Sequence, residues 1–357
     1  EHMMFKGTEE LDADAINRGF DDIGASNNAY TTREMTCFYA HVIPEKLGSA
    51  TDMLGKMMRP ALRTSDFDTE KNVILEEIAM YADNPFWVLY EQCVERRYGP
   101  HGLAHRVLGT PESIRAMSRD SMQEYFDTRY SADNTVVALA GKLDFDACVE
   151  QINGLCGSWP ATKPARNADR PKTINAPFTI HDERVNRGYL ITLADAPSVT
   201  DDRRYAAALL AQVLGGADNS RLHWALIETG IAEEAQAAYD GLDGTGDFFV
   251  YASGDPDRID AIWETIAKEI RGLRDSLDES DLEKLRSKMV TSSTLGSERP
   301  SDRMQRLGRL WTMTGSYIPL EDELKQISAV TIDDLRAVCD EFPLSECTLG
   351  RMLPGEG

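Results

Sequence analysis

A proline-rich stretch near the middle of the chain does most to limit the folds open to it. Residues 158–173 read SWPATKPARNADRPKT, with three prolines, several basic residues and no apolar periodicity. This composition is typical of an extended linker and not of a helix or a strand. With 357 residues, the chain is long enough for a hydrophobic core on each side of it. We therefore predict one domain at 1–160, a linker at 161–173 and a second domain at 174–357.

The two halves carry their predicted elements in a similar order. In each half a pair of tyrosine-bearing strands precedes a long amphipathic helix, and a later helix begins with a Glu-Lys pair. These pairs are Glu70-Lys71 in the first half and Glu283-Lys284 in the second. The repeated order indicates an ancient duplication.

The first eight residues, EHMMFKGT, contain a candidate metal site. Glu1 and His2 match the second half of an HxxEH motif, whose first His would lie three residues before Glu1, outside this sequence. In that motif two histidines hold zinc from neighbouring turns of a helix, and the Glu between them activates water for attack on a carbonyl. A Glu-His pair alone also occurs by chance, so its other interpretation is an ordinary chain end.

A second candidate lies on a predicted helix around residues 70–81. Glu70 and Glu77 are seven residues apart, so both carboxylates project from one side of the helix, whereas Glu76 points about 100° away. A carboxylate among apolar residues needs a partner, either a metal or catalytic water, or an Arg or Lys from elsewhere. Counted from the Glu-Lys pairs, the equivalent of Glu77 in the second half is Val290, which cannot bind a metal.

His101 and His105 have the four-residue spacing of a metal pair. Gly99, Pro100 and Gly102 disfavour a regular helix there, so the two imidazoles are not expected to share one face. A metal-binding module in this loop is therefore the weakest of the functional hypotheses.

The charge and the cysteines narrow the functional classes. Lys and Arg number 38 against 60 Asp and Glu, and the net charge of −22 disfavours nucleic acid and anionic membranes and weakly favours cationic substrates. No run of about 20 apolar residues is present, so no membrane span is predicted.

The six cysteines form no CxxC pair, which favours reduced thiols and a cytoplasmic location. Disulfides and a periplasmic location are the alternatives.

Three motifs in this order, EHMMFKGT, SNNAYTTREMTCFYAHV and EKNVILEEI followed by DNP, resemble the pitrilysin or insulinase family of zinc metallopeptidases. The resemblance is strongest to bacterial members similar to mitochondrial processing peptidase. It covers nearly the whole chain, although the motifs are sharp only in the first half. The resemblance implies an α+β fold of two homologous domains, each a mostly antiparallel sheet with helices packed on it, closing like a clam around a chamber.

The resemblance also implies roles for four residues of the first half. One Zn²⁺ would be held by His2, by Glu77 and by the upstream His of the motif. Glu1 would be the general base that acts on a metal-activated water, and Glu70 would support catalysis. The first domain would therefore be catalytic, and the second would bind no metal.

The resemblance further predicts where the substrate binds. Asn28 and Ala29 match an edge strand of the family that pairs with the substrate backbone by β-augmentation. The other interpretation of residues 26–31 is an ordinary hairpin strand.

This sequence departs from the family pattern in two places. The first His and the strands that precede the motif are absent from it, so we expect this chain by itself to bind zinc poorly. Active single-chain members also carry an Arg and, seven residues on, a Tyr after a Ser-Arg-Leu segment, and both reach the substrate. Here the segment lies at 220–222, but Ile227 and Glu233 or Glu234 stand where that pair is expected. An isoleucine side chain has no hydrogen-bond donor and a carboxylate only accepts. These residues therefore cannot replace a guanidinium and a phenol that hydrogen-bond a carbonyl.

Two functional hypotheses follow. The first is a zinc endopeptidase that cleaves peptides or unfolded segments. The second is a non-catalytic or zinc-bearing subunit of a heteromeric peptidase or scaffold assembly, whose partner supplies the Arg-Tyr pair. Either hypothesis is compatible with a homodimer or with a heterodimer containing a related subunit.

Overall fold

The computed structural model describes residues 1–165, 170–216 and 218–355. The helices in chain order are α1 (Ala13–Asp21), α2 (Leu47–Met57), α3 (Thr64–Ala82), α4 (Pro85–Tyr98), α5 (Pro111–Ala116), α6 (Arg119–Arg129), α7 (Phe145–Cys156), α8 (Arg204–Gly215), α9 (Ile259–Leu273), α10 (Glu279–Glu298), α11 (Pro300–Thr314), α12 (Leu320–Ala329) and α13 (Ile332–Glu341). The strands are β1 (Ser26–Thr31), β2 (Thr36–His41), β3 (Pro177–Asp182), β4 (Gly188–Asp195), β5 (Glu234–Gly241), β6 (Gly246–Gly254) and β7 (Cys347–Pro354). The predicted α+β fold class is confirmed.

The described residues group into two compact units. Unit 1 contains those of Glu1–Met80, Arg106–Asn167 and Arg299–Arg309, and unit 2 contains those of Tyr81–His105, Ala168–Glu298 and Leu310–Gly357. The domain boundaries expected from the sequence stay a prediction, and residues 166–169 of the expected linker lie outside the described residues.

Unit 1 is built around an antiparallel hairpin of β1 and β2. In its register Asn28 pairs with Tyr39, Ala29 with Phe38, and Tyr30 with Cys37. Because side chains alternate along a strand, even-numbered β1 residues lie on one face of the hairpin and odd-numbered ones on the other.

The core of unit 1 fixes the turn that carries the first motif. His2–Lys6 forms a 3₁₀ helix, and its side chains Met3 and Met4 are buried together with Ile16 and Phe20 of α1. The α1 helix begins at a clear N-cap, since the Asp12 side chain accepts a hydrogen bond from the Ala15 N–H at 2.8 Å. Burial of these apolar residues therefore holds the polar residues of the motif in place.

Unit 2 contains a five-stranded sheet in the order β3-β7-β4-β6-β5. The β3–β7 pair is parallel and the other pairs are antiparallel. Side chains of β4 reach two cores on opposite faces: Leu190 packs in the core that contains α8 and α9, and Ile191 in the core that contains α4. A sheet that is covered on both faces explains the nearly continuous apolar sequence of β4.

Two features of the fold differ from the sequence prediction. The segment 134–143, NTVVALAGKL, combines three β-branched residues with other apolar ones and predicts a strand. This prediction is wrong, since residues 135–140 belong to no strand of the described structure. Val136 and Val137 are 41% and 52% exposed, so this run is not buried as its composition suggests. The prediction also missed β3, a short strand that pairs with β7 from a distant part of the chain.

Among the described residues, no helix combines the length and the apolar character needed to cross a membrane.

Candidate active site

His2 lies between the two carboxylates that the sequence places on one side of α3. The Nδ1 atom of His2 is 2.9 Å from Glu70 Oε2, and its Nε2 atom is 3.7 Å from Glu77 Oε2. The seven-residue spacing on α3 and the short turn at His2–Lys6 therefore bring three of the predicted site residues together.

Glu70 is the buried residue of this group. Its residue exposure is 4%, and its Oε1 atom lies 2.6 Å from the Nζ atom of Lys6. Burial by itself would raise the pKa of Glu70, but hydrogen bonds from Lys6 and His2 and the charges of these two groups lower it below its usual value. Glu70 is therefore a carboxylate that can only accept hydrogen bonds.

The ionised state of Glu70 has a consequence for the imidazole of His2. Because the carboxylate only accepts, the proton in the contact between them lies on His2 Nδ1. A neutral His2 then presents the lone pair of its Nε2 atom toward Glu77. Fixing the tautomer of a histidine in this way is how proteins prepare it as a metal ligand.

The backbone of the first motif is held by Arg63, the residue before α3, and by the conformation of its own glycine. The Arg63 guanidinium donates to the Lys6 carbonyl at 3.3 Å and also to the Thr8 carbonyl. Gly7 has a φ of 100°, and a Cβ atom there would clash with the Leu11 carbonyl oxygen. The Lys-Gly-Thr sequence after the Glu-His pair is therefore the part of the motif that turns the chain.

Glu1 contacts the strand that the sequence predicts as the substrate-binding edge. Its Oε2 atom accepts a hydrogen bond from Thr31 Oγ1 at 2.5 Å, at the end of β1. The Thr31 hydroxyl is also 3.3 Å from the hydroxyl of Thr36 on β2. Glu1 is itself exposed, so its carboxylate is open to solvent while one of its oxygens is held by the hairpin.

Asn28 and Ala29 lie in the middle of β1. The Asn28 side-chain oxygen accepts a hydrogen bond from the Ala29 N–H at 2.9 Å. In the part of the chain that the structure describes, β1 pairs with β2 and with no other strand. An added strand could therefore pair with its other edge, once the N–H of Ala29 is released from the Asn28 side chain.

The donors of this site fit part of a zinc site. Zinc in proteins takes imidazole nitrogens and carboxylate oxygens as ligands, and two ligands of a tetrahedral ion are roughly 3.3 Å apart. The 3.7 Å between His2 Nε2 and Glu77 Oε2 is close to that separation. Across residues 1–165, 170–216 and 218–355, no group of three or more His, Cys, Asp or Glu side chains is arranged to hold a metal. The separation of His2 Nε2 and Glu77 Oε2 therefore fits two ligands of one zinc ion.

Among the described residues, neither His101 nor His105 belongs to a group of three or more side chains that could hold a metal. His101 caps a 3₁₀ turn at Gly102–Ala104, and its Nδ1 atom accepts a hydrogen bond from the Leu103 N–H at 3.2 Å. The lone pair of His101 Nδ1 is therefore taken up by the backbone N–H of Leu103.

The residues that stand at the expected Arg-Tyr positions have structural contacts in unit 2. Ile227 is half-buried and packs against the larger apolar core. Glu233 forms an ion pair with Arg187 at 3.0 Å. In the preceding 220–222 segment, Arg221 donates to the Ser276 carbonyl at 3.0 Å. These contacts hold the segment to its own unit.

Solved structures show the same fold as this chain. A protease from Helicobacter pylori matches with a TM-score of 0.93 at 19% identity, covering 99% of this chain and 88% of that one. A chain of complex III2 from Candida albicans matches with a TM-score of 0.83 at 15% identity, covering 99% of this chain and 87% of that one. At these identities the likeness concerns the α+β fold alone.

Family models and curated relatives identify the family. Residues 1–111 match the model described as Insulinase (Peptidase family M16), and residues 116–289 match the model described as Peptidase M16 inactive domain. The uncharacterized zinc protease YmxG of Bacillus subtilis is 28% identical over 357 residues, covering 99% of this chain and 87% of the relative. An uncharacterized zinc protease of Mycobacterium tuberculosis is 30% identical over 345 residues, covering 95% of this chain and 79% of the relative. The chain belongs to the insulinase family of peptidases, and the family predicted from its motifs is confirmed.

Proposed function

We propose that this protein is a zinc-dependent endopeptidase whose metal and catalytic residues lie in unit 1. The observation that supports this proposal most strongly is the position of the His2 imidazole, with Glu70 on one ring nitrogen and Glu77 facing the other. An ordinary surface ion pair would not need two carboxylates from one helix around a single imidazole. The relatives are named zinc proteases, which supports the same class of reaction, zinc-dependent cleavage of peptide bonds.

His2 Nε2 and a Glu77 oxygen would hold the zinc, together with the upstream His of the motif. When bound, zinc polarises the carbonyl of a substrate and lowers the pKa of water at the site. Glu70 contributes by keeping the proton of His2 on Nδ1 and by fixing the plane of the ring. Lys6 in turn keeps Glu70 ionised through its contact at 2.6 Å.

Glu1 is the proposed general base. Its carboxylate takes a proton from the attacking water and then delivers it to the nitrogen of the leaving amine. The hydrogen bond from Thr31 holds one carboxylate oxygen and leaves the other for this transfer. Because Thr31 is part of β1, the same contact links the base to the strand that we propose binds the substrate.

The substrate proposed for this site is an extended or unfolded peptide. It would add as a strand along Asn28 and Ala29, so that backbone hydrogen bonds supply affinity without a strict sequence requirement. The net charge of −22 favours basic peptides through long-range attraction. All six cysteines are free thiols in the structure, which is consistent with action in a reducing compartment such as the cytoplasm.

The test is hydrolysis of a basic peptide library by the full-length protein with its upstream segment. We expect cleavage that is lost on treatment with a chelator and restored by zinc. Cleavage that persists after complete removal of the metal would contradict the proposal.

A second candidate is a zinc-bearing subunit that needs a related partner. It is supported by Ile227 and Glu233, which stand where an Arg-Tyr pair is expected and have structural contacts instead. Zinc binding without cleavage, followed by cleavage when a related chain carrying the pair is added, would favour this candidate. A protein that neither binds zinc nor gains activity from such a partner would be a scaffold.

A further inference from the structure

The β1 strand is held on both faces of the hairpin. On the face of the odd-numbered residues, Thr31 contacts Glu1, and Phe38 of β2 packs against Phe5 with ring centroids 6.3 Å apart. On the face of the even-numbered residues, the Tyr30 hydroxyl donates a hydrogen bond to Gln305 Oε1 at 2.9 Å. The second contact joins residues that are 275 positions apart in the sequence.

Gln305 contacts both strands of the hairpin through one atom. The Cys37 thiol is 3.8 Å from the same Oε1 atom, and Cys37 is the residue of β2 that pairs with Tyr30. Gln305 lies on α11, in the part of that helix that belongs to the same compact unit as β1 and β2. One amide oxygen therefore fixes the position of the hairpin relative to α11.

The two groups that face Gln305 remain donors at neutral pH. Burial first, and then the neighbouring thiol of Cys37, raises the pKa of Tyr30 to about 12. Burial also raises the pKa of Cys37, although its hydrogen bonds with Tyr30 and Gln305 act in the other direction. Position 305 must consequently supply an acceptor, which an amide or a carboxylate can do and an aliphatic or thioether side chain can do poorly.

We propose that Gln305 is a positioning residue for substrate binding, because its side-chain oxygen fixes β1 so that the edge at Asn28 and Ala29 can receive an extended peptide. This inference rests on the proposed function of β1 as the substrate strand. Gln305 does not touch the reacting atoms; it acts through Tyr30. A loss of the contact should weaken binding in the ground state and the transition state alike, which raises KM and leaves kcat nearly unchanged.

The test compares three variants of the full-length protein. Gln305→Met keeps the size of the side chain but removes the strong acceptor, and Gln305→Glu keeps an acceptor. Arg303→Met is the matched control, since Arg303 is an exposed residue on the same helix. The Kd of a fluorescently labelled lysine-rich peptide is measured in chelator, where no cleavage occurs, and KM and kcat are measured with zinc. Thermal melting checks that each variant is folded.

We expect Gln305→Met to raise both Kd and KM by about twofold to tenfold, as the loss of one hydrogen bond predicts. Gln305→Glu should restore the binding of the wild-type protein, and Arg303→Met should not change it. An unchanged Kd in Gln305→Met, an equal effect of Arg303→Met, or a fall in kcat at constant KM would overturn the inference.

The same experiment separates this inference from the proposed function. A wild-type protein that binds the peptide without cleaving it contradicts the peptidase proposal, while the Kd values still test the role of Gln305. A wild-type protein that cleaves the peptide, with no difference in Gln305→Met, contradicts the inference alone. Absence of peptide binding in the wild-type protein overturns both.

Discussion

Replacement of Glu70 by Gln should weaken zinc binding and destabilise unit 1. The carboxylate contacts Lys6 Nζ at 2.6 Å and His2 Nδ1 at 2.9 Å, and only 6% of its side chain is exposed. A hydrogen bond with a charged group contributes about 1.5–3 kcal/mol. His2 and Lys6 are each 34% exposed, so solvent screens part of both interactions and the lower end of this range applies.

The single oxygen of a Gln side chain cannot replace both oxygens of the carboxylate. Its NH₂ group is a donor, and neither the Lys6 ammonium nor the protonated Nδ1 atom of His2 offers an acceptor for it. One of the two contacts is lost and the other loses its ionic character, so we expect the free energy of unfolding to fall by about 2 kcal/mol. Loss of the group that orients a ligating His costs roughly 10- to 100-fold in metal affinity.

The assays are isothermal titration with zinc and urea unfolding of the full-length protein. Glu76→Gln is the control, because Glu76 is exposed on the same α3 helix and the substitution makes the same change in charge. Equal zinc affinities for Glu70→Gln and Glu76→Gln would refute the view that Glu70 prepares His2 as a ligand.

Two further predictions concern unit 2. Arg97 is fully buried and donates to Asp247 Oδ1 at 2.9 Å and to the Leu193 carbonyl at 3.0 Å. Arg97→Met removes the cation beside the buried Asp247 carboxylate, which keeps the hydrogen bond from the Tyr98 hydroxyl at 2.7 Å. The free energy of unfolding should therefore fall by about 3 kcal/mol, the lower end of the range for a broken buried ion pair. Urea unfolding measures this, and a loss below about 1 kcal/mol would show that Asp247 is satisfied without Arg97. Hydrogen bonds from Arg184 hold the pKa of Asp182 at about 2, against its ordinary value of 3.8. A lowered pKa stabilises the fold above pH 3.8, and this contribution is lost as the pH falls through 2. In Arg184→Met, the titration midpoint of Asp182 measured by NMR should move up toward 3.8. An unchanged midpoint would exclude Arg184 as the cause of the lowered pKa.

The helical part of the candidate site could be predicted from sequence because it depends on local periodicity. The seven-residue spacing of Glu70 and Glu77 is enough to place both on one side of α3, and the structure shows them around His2. The role of Lys6 as the partner of Glu70 was missed, although its position four residues after His2 in a short turn was a usable signal. The contact between Tyr30 and Gln305 has no such signal, since the two residues lie 275 positions apart in the sequence.

The errors in the strands have a related physical cause. A β-branched run predicts that residues fit a pleated surface, but a strand exists only where another strand pairs with it. Residues 135–140 have the composition but form no strand in the structure, and β3 is a short segment of six residues that pairs with β7. Pairing is decided by tertiary structure, which the sequence pattern of one segment does not contain.

The most direct test of the whole account is peptide cleavage by the Glu1→Gln variant of the full-length protein, measured with its zinc content. Glu9→Gln is the control, because Glu9 is an exposed carboxylate in the same region of the chain. We expect Glu1→Gln to retain zinc and to lose nearly all cleavage, whereas Glu9→Gln should behave as the wild-type protein. Wild-type rates of cleavage in Glu1→Gln, with zinc bound, would contradict the assignment of Glu1 as the general base and with it the proposed site.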